Sequence, residues 1–238
     1  GENNNIFGFN AGYSQTTGNH NNFLGSSAGY YNLTGEHNNF FGANAGHTNN
    51  TGSHNNMFGN NAGRYLHNGT ANTASSRSIF IGRDTRSETS TSTNEIVIGD
   101  GALGEGSNTV VLGNDNISKT ALKGDVGIGT TNPNAALDVS SANSGILIPR
   151  LALTASATFG LSGTATESLL VYNTNTSTEN GLDGKGYYYW SSENGGAWTK
   201  ISSGEAAPDD VRIVGNSLVA ANAGPGGNGS SEGTQANR

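Results

Sequence analysis

The chain has 238 residues, of which 32% are hydrophobic and only 12% are charged, and its formal net charge is −7 at pH 7. This charge argues against nucleic-acid binding, which selects basic patches, and the absence of cysteine excludes disulfides and thiolate chemistry. No apolar run is long enough to cross a membrane, and no signal peptide is visible. Met57 is the single methionine and the chain opens within a repeat, so we expect it to be a piece of a longer protein.

A 17-residue repeat opens the chain. The first glycines of successive repeats are Gly8, Gly25, Gly42 and Gly59, and columns of alanine, Thr-Gly and histidine keep the same step. A fixed short period is the signature of a solenoid, in which each repeat is one coil stacked on the last. Because the apolar runs are short and broken by glycine, they indicate very short strands and tight turns rather than helices.

Each repeat carries two adjacent apolar residues before its first glycine. The pairs are Ile6-Phe7, Phe23-Leu24, Phe40-Phe41 and Met57-Phe58. Because neighbours on a strand point to opposite faces, both faces of this strand are apolar. One face fills the coil, and we expect further copies of the chain to cover the other. The sequence therefore predicts a homo-oligomer wound about an axis parallel to the stack.

Asparagine pairs come just before these apolar residues. They are Asn4-Asn5, Asn21-Asn22, Asn38-Asn39 and Asn55-Asn56. Identical residues in stacked strands lie above one another, and asparagine side chains can then hydrogen-bond along the stack. We therefore predict polar ladders at one corner of the coil, with the glycine columns supplying positive φ or close backbone approach.

The repeat continues in a changed form through the segments 78–82, 95–99 and 109–113, with steps of 17 and then 14 residues, and it ends at 125–129. The step from Gly59 to Gly82 is 23 residues, which predicts an inserted loop near 66–76. Residues 1–129 are thus predicted to form one repeat shaft.

The rest of the chain is predicted to form three further parts. Residues 130–166 are a transition segment punctuated by Pro133 and Pro149, with a single helical turn at 154–161. Residues 167–220 are a small antiparallel β module with strands at 168–172, 186–190 and 197–201, a hairpin turn at Asn194-Gly195 and one more strand at 212–219. Residues 221–238 are a glycine-rich tail that should be flexible unless a partner orders it.

Several of these motifs resemble a known class of fibre proteins. The units "IFIG", "IVIG" and "VVLG" look like the left-handed parallel β-roll in the heads of trimeric autotransporter adhesins. The segment "NNFLGSSAGYYNLTG" resembles the same roll in tail-fibre and surface-fibre proteins of Bacteroidetes and their phages. "VGIGTTNPNAALDVSS" and "GKGYYYWSSENGGAWTKI" resemble the segments that follow the roll in those proteins. The resemblance covers roughly residues 1–202 and implies a homotrimer, although a coiled-coil stalk and a self-cleaving chaperone domain are not recognisable.

An aromatic cluster in the C-terminal module is one candidate binding site. Its members are Tyr187, Tyr189, Trp190 and Trp198. Aromatic faces stack on sugar rings, so a cell-surface glycan is one candidate ligand. The alternative is that these side chains fill the core and the subunit interface of a small β module.

The histidine column His20, His37 and His54 is a second candidate, because imidazoles that converge on an axis can hold a metal. No carboxylate column accompanies it, so a solvated corner ladder is the alternative, and we predict no metal and no other cofactor. His47 and His67 lie off this column and receive no role. Scattered acidic residues suit solvated turns better than a calcium site; they are Asp115, Asp183, Asp209 and Asp210.

No catalytic motif is recognisable, so we predict a non-enzymatic structural protein. The leading hypothesis is a stiff homotrimeric rod in a phage tail fibre, a contractile injection particle or a bacterial extracellular appendage, with other fibre or baseplate proteins as candidate partners. The second is an adhesin that grips a glycan through the aromatic cluster. An ice-binding solenoid would need a flat threonine face, whereas the only threonine column, Thr17, Thr34 and Thr51, lies beside glycine in a turn. A polysaccharide lyase would need clustered acid, base and basic residues.

Overall fold

A computed structural model describes residues 1–201 together with Val211–Val214 and Ser217–Ala220. The chain divides into two compact units, Gly1–Lys123 and Gly124–Arg238. Apart from one 3-10 turn, every regular element among the described residues is a β-strand. The predicted all-β class is therefore confirmed.

The first unit is a stack of seven parallel strands that follow one another in chain order. The strands are β1 (Asn5–Phe7), β2 (Asn22–Leu24), β3 (Asn39–Phe41), β4 (Asn56–Phe58), β5 (Ile79–Ile81), β6 (Ile96–Ile98) and β7 (Val110–Leu112). Paired residues such as Asn5 and Asn22 are one 17-residue repeat apart. The step widens between β4 and β5, where Asn56 pairs with Ile79, and narrows between β6 and β7, where Ile96 pairs with Val110. These registers confirm the predicted solenoid of 17-residue coils.

The middle residue of each strand points into the coil and builds its core. These residues are at most 1% exposed from the second to the sixth strand: Phe23, Phe40, Met57, Phe80 and Val97. They pack with a column of buried alanines, which are Ala28, Ala45, Ala62 and Ala102. Because the strands are in register, like residues stack, and the rings of Phe23 and Phe40 lie 5.0 Å apart and nearly parallel. Burying one large side chain per coil supplies the main stabilising term.

The asparagine pairs form two ladders, one inside the coil and one outside. Outside, the Asn22 side-chain amide donates to Asn39 Oδ1 at 2.7 Å, and Asn39 donates to Asn56 at 2.8 Å. Inside, Asn38 is fully buried; its Nδ2 donates to the Gly52 carbonyl at 2.8 Å and its Oδ1 accepts from the Asn55 backbone N–H at 3.0 Å. The predicted ladders are therefore present, and buried backbone groups are satisfied by side chains as well as by strands.

A third ladder lies directly beside the inner one, with which it shares the Gly35 and Gly52 carbonyls as acceptors, and it was not predicted. Asn32 and Asn49 are fully buried, each donates to the carbonyl of the glycine three residues on at 2.8 Å, and Asn49 also donates to Asn32 Oδ1 at 3.1 Å. The glycines they bond, Gly35 and Gly52, leave no room for a Cβ, because it would lie 2.3 and 2.1 Å from a carbonyl oxygen of the next coil.

The second unit contains three small sheets. β8 (Val126–Ile128) pairs in parallel with β9 (Leu137–Val139), so the segment that resembles a last repeat does not pair with β7. The main sheet has the order β10-β11-β12-β13, formed by β10 (Arg150–Leu151), β11 (Leu170–Asn173), β12 (Gly186–Ser191) and β13 (Ala197–Lys200). Three of these strands are antiparallel as predicted, whereas β10 joins β11 in parallel and makes the sheet mixed.

The hairpin predicted at Asn194-Gly195 is present, because the 3-10 turn Glu193–Gly195 joins the antiparallel strands β12 and β13. Two other details of this unit differ from the sequence prediction. Residues 154–161 contain turns and no helix. Instead of one strand at 212–219, an antiparallel hairpin links β14 (Val211–Val214) and β15 (Ser217–Ala220). The predicted tail, 221–238, lies outside the described residues, as do Asp209 and Asp210.

Candidate functional site

The outward face of the strand stack carries an apolar stripe. It is formed by the third residue of every strand: Phe7, Leu24, Phe41, Phe58, Ile81, Ile98 and Leu112. Leu24 is 46% exposed, and Phe58 and Ile81 are each 40% exposed. Neighbouring members contact one another, as in Phe41 and Phe58, whose rings stack at 5.0 Å. From here on, these residues are called the outward stripe.

The outward stripe widens towards the later coils. The first residue of each strand shares its face and is an asparagine in β1 to β4, but it becomes Ile79, Ile96 and Val110 in β5 to β7. Val110 is 62% exposed. A contiguous row of large apolar side chains on a chain this polar marks an interaction surface. The residues predicted to form the core or the subunit interface therefore divide into two groups. Phe23, Phe40 and Met57 point inward. The outward stripe contains Phe7, Leu24, Phe41 and Phe58. Ile6, at the middle position of the first coil, is 42% exposed.

The histidine column forms a solvated stack at a corner of the coil. His20, His37 and His54 are exposed, and their ring centroids are 4.9 Å apart with nearly parallel planes. All three have left-handed backbone conformations, with φ between 56° and 62°. Parallel stacked rings do not aim their nitrogens at one point, and the described residues contain no group of three or more His, Cys, Asp or Glu that could hold a metal ion.

A second ring column was missed at the sequence level. Tyr13 stacks on Tyr30 at 5.0 Å, and Tyr30 stacks on His47 at 5.2 Å. Arg64 is the next residue at the 17-residue step. Burial, and then the Arg64 charge, lower the pKa of His47. His47 therefore belongs to a column of its own, which extending the 17-residue alignment from Tyr13 would have revealed.

An arginine and tyrosine cluster continues this corner. The guanidinium carbons of Arg64 and Arg86 lie 4.8 and 5.9 Å from the centroid of the Tyr65 ring. Tyr65 opens the inserted loop, where it bridges to Ala71 and the Leu66 N–H donates to the Thr70 carbonyl. The predicted insertion is therefore a short hairpin that begins beside the column.

The four aromatic residues proposed for glycan binding do not share one surface. Trp190 and Trp198 are 5% and 2% exposed and lie in the core of the main sheet, where Trp198 Nε1 donates to the Thr158 carbonyl at 3.1 Å. Tyr187 is 50% exposed and Tyr189 is half-buried, and both point to the opposite face. There the Tyr187 ring meets Tyr172 edge-on at 5.2 Å. Sequence alternation along β12 accounts for this division.

The remaining candidates have simpler surroundings. The Asp183 carboxylate pairs with Lys200 Nζ at 3.1 Å, and Asp115 is exposed. Among the residues that the structure describes, there is no helix of sufficient length and hydrophobicity to span a bilayer.

A comparison with protein families identifies one region of similarity. Residues 127–218 match the family model described as "Phage tail like trimerisation region", which is less than half of the chain and lies within the second unit. The match supports self-association as a trimer and a structural role in a phage-tail-like fibre, and with it a virion or extracellular location. None of the curated proteins and none of the solved structures matches the chain. The finer resemblance to Bacteroidetes fibres and autotransporter heads stays a prediction.

Proposed function

We propose that this chain is a segment of a non-enzymatic homotrimeric fibre, in which the coil stack of residues 1–123 is the shaft and the second unit holds three chains together. The observation that carries the proposal is the outward stripe, which leaves apolar residues of successive coils uncovered in one copy of the chain. Three copies wound about a common axis would bury those side chains, and the match to a trimerisation region supports the number three.

The mechanical role follows from the direction of the hydrogen bonds. Parallel strands bond to the coil before and the coil after, so backbone bonds run along the stack, as Gly25 N–H to the Phe7 carbonyl at 2.9 Å illustrates. Each coil adds about 4.8 Å to the length. Such a rod would hold a receptor-binding or anchoring part away from a particle. The particles proposed to carry it are a phage tail fibre, a contractile injection particle or a bacterial extracellular appendage, and the match to a phage-tail-like region supports the first.

The first test is the solution mass of the full chain, measured by light scattering on a sizing column. Three copies are expected, whereas a stable monomer would contradict the proposal. The surface involved can be located because the chain has no cysteine. A single Phe58→Cys change on the outward stripe should give disulfide-linked pairs on oxidation at every protein concentration. Asn60→Cys is the matched control, since Asn60 is exposed in the same coil but off the stripe, and it should stay uncrosslinked.

An adhesin is the second candidate function. Tyr187 is half exposed beside Tyr172, and the Arg150 guanidinium carbon lies 5.5 Å from the Tyr172 ring, so aromatic surface and donors are available to a sugar on this face. In this case Tyr187→Ala would abolish glycan binding on an array and leave the mass unchanged. A change in mass with the same substitution would instead assign Tyr187 to the subunit interface.

A further inference from the structure

Four of the six basic residues of the coil stack lie in two neighbouring coils, and the other two are Lys119 and Lys123. The first 63 residues contain no lysine or arginine, and then four arginines follow within 23 residues: Arg64, Arg77, Arg83 and Arg86. Arg83 is neutralised by Asp84 at 2.8 Å and Asp100 at 2.9 Å, and Asp100 is the main reason that its pKa is raised. The other three form no ion pair with any residue in the described part of the chain.

Two of these unpaired arginines are held by one aromatic ring. Because the guanidiniums of Arg64 and Arg86 pack on Tyr65, their terminal N–H groups lie at the edges of the packed groups and stay available for an oxyanion. Arg64 Nη1 donates to Asn61 Oδ1 at 3.1 Å, whereas its Nε is buried without a partner. Two carboxylates close in sequence to Arg86 are engaged elsewhere: Glu88 contacts His67 at 3.0 Å, and Asp84 pairs with Arg83 at 2.8 Å.

The ring column extends this cluster over the preceding coils. Tyr13, Tyr30 and His47 stack at one ring per coil, and the Tyr31 ring meets Tyr30 edge-on at 4.6 Å. Tyr13 is 68% exposed and Tyr31 is 48% exposed. The corner therefore presents aromatic surface along several coils and ends at two cations with free donors. It is distinct from the outward stripe.

We propose that this corner binds an acidic polysaccharide. Carboxylate or sulfate groups are held by Arg64 and Arg86, since charge-assisted hydrogen bonds to a planar guanidinium are strong and directional. Sugar rings of the same polymer pack against Tyr13 and Tyr31. Because the chain carries a net charge of −7, long-range attraction does not draw such a polymer to it, and binding depends on the local charge of this cluster. The shaft would then be a contact surface as well as a spacer.

Surface plasmon resonance tests whether this corner binds an acidic polysaccharide. The full chain is passed over immobilised dextran sulfate, polygalacturonate and uncharged dextran. Binding is expected on the two anionic polymers, falling with added salt, and not on dextran. The double variant Arg64→Gln/Arg86→Gln should bind about tenfold more weakly, because it removes charge-assisted donors. The matched control is Arg77→Gln/Arg83→Gln, which removes the same charge from the same coils and should bind within about twofold of the unmodified chain.

Substitutions of Tyr65 distinguish binding at the cluster of Arg64, Arg86 and Tyr65 from attraction by net charge alone. Tyr65→Phe should retain binding because the ring remains, whereas Tyr65→Ala should weaken it while the far-UV circular dichroism and melting temperature report whether the coil is intact. Equal losses in the two double variants would show attraction by net charge alone and would overturn the proposal. Competition by inorganic sulfate as effective as that by dextran sulfate, at equal sulfate concentration, would show a free-anion site and would overturn the polymer assignment.

Discussion

At the scale of single residues, asparagine does what no other side chain of its size can do inside this coil. Asn38 donates to one coil and accepts from it at the same time, through the Gly52 carbonyl and the Asn55 backbone N–H. Its Nδ2 and Oδ1 lie on a side chain short enough to fit between coils that are one strand spacing apart. A fully buried amide with both functions satisfied costs little to bury, and it fixes the register of its neighbours.

Asn38→Asp is therefore expected to destabilise the coil stack strongly. The change removes the donor to the Gly52 carbonyl and buries a carboxylate, which together should cost roughly 2–4 kcal/mol in the free energy of unfolding. Asn60→Asp is the control, because Asn60 is exposed and its amide makes one bond of 3.2 Å to the Ala43 carbonyl. Denaturant unfolding followed by circular dichroism measures both. A similar denaturant midpoint of unfolding for the two variants would show that the inner ladder does not stabilise the coil stack.

At the scale of elements, each coil repeats the contacts of the last and depends on the coils on either side of it. Strands of only three residues persist because each is paired on both sides by strands in register, as β3 is by β2 and β4. The insertion between β4 and β5 is accommodated as a hairpin at the corner, and the register resumes with Met57 beside Phe80. A loop at a corner is thus tolerated, whereas a shift within the strand would turn the core residues outward.

Removing one whole repeat should leave the coil stack folded. Deleting residues 26–42 joins Gly25 to Ala43, which occupies the place of Ser26 in the coil before, so the surrounding contacts are restored. We expect the rod to shorten by about 5 Å, as measured by small-angle scattering, with its circular dichroism spectrum retained. Deleting only residues 26–33 removes about half of the coil that joins β2 to β3, so these strands can no longer pair in register and the stack should be broken between them. Survival of both deletions would count against a stacked-coil shaft.

At the scale of the whole molecule, the chain has two separate hydrophobic cores, one in each unit. The core of the first unit is the column from Phe23 to Val97 with its alanines, and the core of the second unit surrounds Tyr188, Trp190 and Trp198. The two units also differ in the order of their strands, since the first is wholly parallel and in chain order while the main sheet of the second is mixed. Each core has its own set of contacts and so its own cooperative unfolding.

Thermal unfolding is expected to show two transitions. The only two tryptophans are buried in the second unit, so tryptophan fluorescence should report the unfolding of that unit alone. Circular dichroism should report both units. If the two neighbouring tryptophans quench each other, the variant Trp198→Phe leaves Trp190 as the single fluorophore, and its emission then reports the unfolding of the second unit. Coincident transitions by both probes would indicate one cooperative unit.

Local repetition made much of the first unit predictable. The columns of Gly8, Phe23 and Asn21 give the step, the strand positions and the ladders, because in-register stacking turns a sequence period directly into contacts. The third ladder, formed by Asn32 and Asn49, and the column from Tyr13 to His47 obey the same step and were overlooked. The partner of β8 was not predictable, because "VGIG" is compatible with either neighbour and its pairing with β9 depends on non-local contacts. Alternation in β12 placed Tyr187 and Trp190 on opposite faces, but it did not show which face is covered.

The buried amide ladders also bear on the chemical ageing of the chain. Deamidation of asparagine requires the backbone nitrogen of the following residue to attack the side-chain carbonyl carbon. At Asn21 both groups are already engaged: its Oδ1 accepts from the Asn38 N–H at 2.9 Å, and the Asn22 N–H donates to the Asn38 carbonyl at 2.8 Å. The coil would have to open before the ring of the intermediate could close. The same hydrogen bonds that hold Asn21 in the ladder should therefore slow its deamidation, so the stack protects its register chemically as well as mechanically.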